Sequence, residues 1–102
     1  MFGRLKGELN PPPGAKSDPR SLELVRVWGA HGEQHVVLRA DAWGHDAAAW
    51  GVMLVDLARH LARAHSQMYG QPEAESLARI QQLWEAEWKA PTDTPRGGVE
   101  PE

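Results

Sequence analysis

Five histidines, two arginines on a valine-rich stretch and an absence of cysteine define the chemistry open to this 102-residue chain. His31, His35, His45, His60 and His65 raise metal binding first. A helix offers two ligands to one ion when they stand three or four residues apart, and only Asp56 with His60 has that spacing; His60 and His65 do not. There is no His-Glu-x-x-His, and without cysteine there is no thiolate ligand, no disulfide and no thiol nucleophile. Asp56 and His60 therefore read as an exposed helical pair. Metal binding through them is the weakest functional reading, and neither a metal nor a cofactor is expected.

Acid–base chemistry requires a titratable group beside a second polar group in a cleft that excludes water. The best constellation is His35 next to Trp28, flanked by Arg26 and Arg39, with Asp41 just beyond. Guanidinium groups can grip an anion through two parallel hydrogen bonds, and an indole offers a stacking surface. These five are the candidate ligand-binding residues, and no catalytic residue is assigned. The plainer reading is preferred: helices or a second subunit cover this face, and the arginine stems lie along apolar neighbours. Ser17, Ser21, Ser66 and Ser76 have no nucleophile-elbow context, and the glycines at 29–32 and 97–98 form no phosphate loop.

The elements that must position these residues are legible from hydrophobic period. Residues 22–39, LELVRVWGAHGEQHVVLR, alternate and are rich in valine, which predicts two strands. His31-Gly32 falls where a two-residue hairpin turn belongs, with glycine suited to positive φ. That turn sets the register: Ala30 opposite Glu33, Trp28 opposite His35, Val27 opposite Val36, Arg26 opposite Val37, Val25 opposite Leu38 and Leu24 opposite Arg39. One face then carries Val25, Val27, Val36 and Leu38, fit for a core. The other carries Leu24, Arg26, Trp28, His35, Val37 and Arg39.

The period next changes to that of helices. Asp46 can cap a helix that runs to Gly70, with Trp50, Leu54, Leu57, Leu61, Ala64 and Met68, and Met53 beside them, forming one stripe expected to be buried. Asp56, Arg59, His60, Arg63 and Gln67 lie on the other side. Pro72 suits the first position of a second helix that gathers Leu77, Ile80, Leu83, Trp84 and Trp88. Trp50, Trp84 and Trp88 are expected in the core, and Trp28 and Trp43 at an interface or loop corner. The fold class is α+β, in the order ββαα.

This order divides the chain into a flexible Pro-rich arm over residues 1–17, one small domain over 18–90, and a disordered acidic tail over 91–102, PTDTPRGGVEPE. A formal charge of -3 argues against a nucleic-acid partner, since phosphate needs a basic face. No run approaches the roughly 18 apolar residues of a membrane span, and a cytoplasmic location is expected. A hairpin alone is marginal in water, and a domain this small buries little core. Edge pairing with a second copy would add strands, so a homodimer is the expected partner state.

Three segments carry a family likeness. PPPGAKSDPRSLELVRVWGAHGEQHVVLRADAW, DAAAWGVMLVDLARHLARAH and RIQQLWEAEWKAPTD together resemble the domain of unknown function 5076 family of short bacterial proteins, over about residues 10–93. The Trp-Gly-x-Met-Leu-x-Asp-Leu-Ala-Arg-His segment is its most specific part. The resemblance implies no activity, substrate, cofactor or catalytic residue. The functional expectation is therefore a homodimeric interaction or accessory protein without catalytic activity of its own, with a small-molecule or anion-binding domain on the outer hairpin face as the alternative.

Overall fold

A computed structural model describes residues 5–92 and 96–99. Strands β1 (Val25–Ala30) and β2 (Glu33–Leu38) form an antiparallel hairpin, followed by helices α2 (Ala48–Tyr69) and α3 (Glu73–Lys89). The order ββαα is as expected. A one-turn helix α1 (Pro13–Ser17) precedes the hairpin, and a strand β3 (Arg96–Val99) follows the helices.

The hairpin has the register that alternation dictates, from Val25 opposite Leu38 to Ala30 opposite Glu33, with Trp28 directly across from His35. Its turn holds His31 at φ 54° and Gly32 at φ 72°. Positive φ at both central positions is the geometry whose twist matches that of paired strands. Beyond the ladder, the Arg39 amide donates to the Leu24 carbonyl at 2.9 Å and extends the pairing by one step.

The third strand is an addition to the sequence reading. β3 runs parallel to β2, with His35 opposite Arg96 and Leu38 opposite Val99, and gives the sheet order β1-β2-β3. Four residues containing two adjacent glycines have no apolar alternation, so nothing in their pattern announces a strand. Of the tail expected to be disordered, residues 93–95 and 100–102 lie outside the described residues, as do residues 1–4 of the Pro-rich arm. The extra strand thus comes from the chain itself, where a second copy was expected to supply it. Its approach starts at the end of α3, where the Thr92 amide and hydroxyl both donate to the Glu87 carboxylate at 2.8 Å.

Helix α2 starts with Asp46, whose carboxylate accepts the Ala48 amide at 2.9 Å. It ends at Gly70, left-handed at φ 78°, whose amide bonds back to the Ser66 carbonyl. Pro72 lies one residue before α3. The two helices pack together, but through an unexpected face. Ala62 is fully buried, with Ala58 and Ser66 half-buried one turn to either side. Opposite them, Ser76 is buried and shares a hydrogen bond of 3.3 Å with His65 Nδ1. Small side chains allow the helices to approach closely. At 100° per residue, the stripe of Trp50, Leu54, Leu57 and Leu61 lies roughly 100° round α2 from that seam.

The expected buried stripe is therefore open. Leu54, Leu57 and Leu61 are 38 to 53% exposed, and Met68 is exposed as well. Trp84 and Trp88, expected in the core, are also exposed, and pack instead on each other at 6.0 Å. Trp50 is half-buried under Trp43. On the sheet, Val27 is 53% exposed.

The cause is a separation of layers. Among the described residues, β1 contacts β2, β2 contacts β3 and α2 contacts α3, but no strand residue comes within 8 Å of either long helix, Cα to Cα. The chain has a radius of gyration of 15.7 Å, against about 13 Å for a compact chain of its length. It exposes 8941 Å², where a compact monomer of its mass exposes about 5,700 Å².

Candidate functional site

The candidate residues lie on the hairpin face opposite Val25, Val27, Val36 and Leu38, because strand side chains alternate. Trp28 and His35 are paired across the ladder, Arg26 is paired with Val37, and Arg39 lies across from Leu24. The sheet so brings together four of the five expected residues. Asp41 stands apart, exposed in the loop after β2, where its carbonyl oxygen accepts the Gly44 amide at 3.2 Å.

Sequence reasoning missed the residue that organises this face. Glu23 grips Arg26: its carboxylate accepts Nε at 3.2 Å and one terminal nitrogen at 2.6 Å, the fork geometry of a guanidinium with a carboxylate. The Glu23 carbonyl meanwhile accepts Arg39 Nε at 3.2 Å. The Arg26 hydrogen bond, aided by the charges of Arg26 and Arg39 and opposed by partial burial, holds the Glu23 carboxyl below its usual range. The available signal was an opposite charge three residues from Arg26, which counts as a pairing rule only within a helix. In the extended chain before β1 it went unread.

The electrostatics of the face follow from that pairing. The charge of Arg26 is matched by a carboxylate within the chain, which lowers its pull on an external anion. The polar centre is instead His35. Its Nε2 is shielded from solvent and has no hydrogen-bond partner among the described residues. The nearest carboxylate oxygen, on Glu33, lies 3.8 Å away, beyond hydrogen-bond reach. Shielded polar atoms of this kind are costly unless another group meets them. Trp28 lies directly across from it, and Val37 and Leu24 share its face, all half-buried. The surface is thus an apolar patch with one unsatisfied ring nitrogen, edged by an internal ion pair.

The remaining chemical candidates are dispersed. Among the described residues, no three histidine, aspartate or glutamate side chains gather as a metal site. Asp56 and Arg59 rim an open depression on α2 floored by Ala48, Gly51, Val52 and Val55. His65 is engaged by Ser76 and packs on Tyr69 at 4.7 Å. No described helix is long and apolar enough to cross a membrane.

A three-stranded sheet and a helix pair joined by one loop define a small α+β protein. The chain belongs to the family described as Domain of unknown function (DUF5076), which matches residues 8–92. Among solved structures it is similar to one described as "Structure of a putative pyruvate dehydrogenase from the photosynthetic bacterium Rhodopseudomonas palustrus CGA009". That likeness has 31% identity and a TM-score of 0.64, and covers 100% of this chain and 97% of the other. No curated protein matches the chain.

Proposed function

We propose that this chain is a homodimeric accessory protein that works by binding another protein and has no catalytic activity of its own. The observation that carries the reading is apolar surface left open by one chain: Val27 on the sheet face whose Val25, Val36 and Leu38 are half-buried, and the leucine stripe of α2. The surface beyond that of a compact monomer amounts to roughly 3,200 Å². Apolar surface left in water is unfavourable by about 25 cal/mol per Å², which favours association of two copies.

Once both faces are covered, the outer hairpin face remains for a further partner. Trp28, Val37 and Leu24 supply the apolar centre, and the Arg26–Glu23 pair a polar rim, which is the composition of a protein-binding surface. The same reading places the protein in the bacterial cytoplasm. The activity in the description of the structural neighbour stays with that protein. Denaturation over a hundredfold range of protein concentration tests the dimer: its midpoint should rise with concentration. A midpoint that stays constant down to low micromolar protein contradicts the reading.

A second reading rests on His35 Nε2. A small molecule bearing a hydrogen-bonding group could satisfy that atom while its apolar part lies on Trp28. A broad metabolite screen by thermal shift tests this. A ligand whose stabilisation vanishes in Arg26→Ala/Arg39→Ala or His35→Ala supports it, and no shift from any compound counts against it.

A further inference from the structure

We infer that the two copies exchange cover, the Val25/Val27/Val36/Leu38 face of each sheet resting on the Trp50/Leu54/Leu57/Leu61 stripe of its partner's α2. This arrangement rests on the homodimer reading above and specifies which surfaces meet.

The loop that joins sheet to helix is the first reason. It is fastened at both ends and turned in between. Arg39 Nε donates to the Glu23 carbonyl at the sheet end. The Ala42 amide bonds to the Arg39 carbonyl at 3.1 Å and the Gly44 amide to the Asp41 carbonyl at 3.2 Å, with Gly44 at φ 75°. At the helix end, Asp46 caps Ala48 and Trp43 packs edge-on against Trp50 at 4.8 Å. A loop held this way fixes where α2 leaves the sheet, and among the described residues no strand Cα lies within 8 Å of either long helix.

The dimensions are the second reason. A six-residue strand is about 20 Å long, and the helical stripe from residue 50 to residue 61 covers about 17 Å. Both surfaces are apolar, and one chain carries one of each, so a two-fold axis satisfies both at once.

Elimination of the other pairing is the third. If the two α2 stripes packed on each other, each sheet would keep both faces in water, and a small sheet needs one face against a hydrophobic layer. Pairing sheet edges, likewise, would leave every face bare. The reciprocal arrangement covers sheet and stripe together through one pairing of unlike faces.

The absence of cysteine makes the test direct. Val27→Cys and Leu57→Cys are introduced into separate, differently tagged chains, which are co-expressed and treated with a bismaleimide spanning about 10 Å, the spacing of packed layers. Val36→Cys with Leu61→Cys forms a second pair, should the first impair folding, and Arg26→Cys with Leu57→Cys serves as the opposite-face control. The expected product links the two tags through the first or second pair and not through the control. A product within single chains carrying both Val27→Cys and Leu57→Cys overturns the exchange. So does a dimer, proven by mass, in which Leu57→Cys chains link only to each other. A protein that is monomeric by mass defeats the homodimer reading as well, which separates the two failures.

Discussion

Trp43 meets Trp50 edge-on with ring centroids 4.8 Å apart and the planes inclined at 64°, fastening the loop that leaves the sheet to the first turn of α2. Edge-to-face pairs of this kind add about 0.5–1.5 kcal/mol to the area they bury. The contact lies at the junction of two layers whose Cα atoms nowhere come within 8 Å of each other among the described residues.

Trp43→Ala should accordingly lower the melting temperature by roughly 4–8 °C or more, the change expected for each 1 kcal/mol in a domain of this size. The effect should be read by circular dichroism at fixed protein concentration. An unchanged melting temperature would show that the indole pair does not hold the junction.

The leucine stripe distinguishes the isolated chain from the assembled one. Leu61 is 53% exposed in the single chain, and truncating an exposed surface residue usually changes stability by less than 0.5 kcal/mol. Covered by a second copy, Leu61→Ala should cost about 2–5 kcal/mol per site, as in a core. Urea denaturation at 50-fold different concentrations measures this, and a loss under about 0.5 kcal/mol at each would argue that Leu61 faces water.

The Arg26–Glu23 pair predicts a pH dependence with a definite sign. Glu23 has its folded-state pKa depressed below the ordinary 4.5, chiefly by the Arg26 hydrogen bond. Such a group stabilises the fold above its unfolded pKa and loses that contribution as pH falls through the folded value. Both side chains are largely solvated, so the gain is limited to the roughly 0.2–1 kcal/mol of an exposed pair. Glu23→Gln should be slightly less stable than the parent at pH 7, with the difference closing as pH drops below 4.5. A difference that stays constant across that range would contradict the assignment.

The hairpin turn invites a stabilising substitution. His31 occupies a positive φ of 54°, a conformation that asparagine adopts more readily than histidine. His31→Asn should raise stability slightly, measured by chemical denaturation. A decrease would mean that the His31 ring has a role besides forming the turn.

The hairpin was readable from the sequence because two independent signals agree on it. Alternation selects the faces, and His31-Gly32 sets the pairing, so a slip of one residue would invert every side chain. The limits of α2 were readable for the same reason, from Asp46 and Gly70. Its packing face was not, because a periodic pattern shows which residues share a side and not which neighbour that side meets. The bulky stripe is the one the pattern marks for burial, whereas close approach of α3 selects the small residues Ala58, Ala62 and Ser66. Arg96–Val99 escaped notice since backbone pairing with β2 needs no side-chain pattern. On the candidate face, register places Trp28 and His35 together, while the capture of Arg26 by Glu23 lies in chain outside the ladder, where no pairing rule applies.

Sedimentation equilibrium of the full chain at low micromolar concentration addresses the central claim most directly. The account predicts a species of twice the 11.3 kDa chain mass. A single species of 11.3 kDa, folded and fully stable at those concentrations, would contradict it.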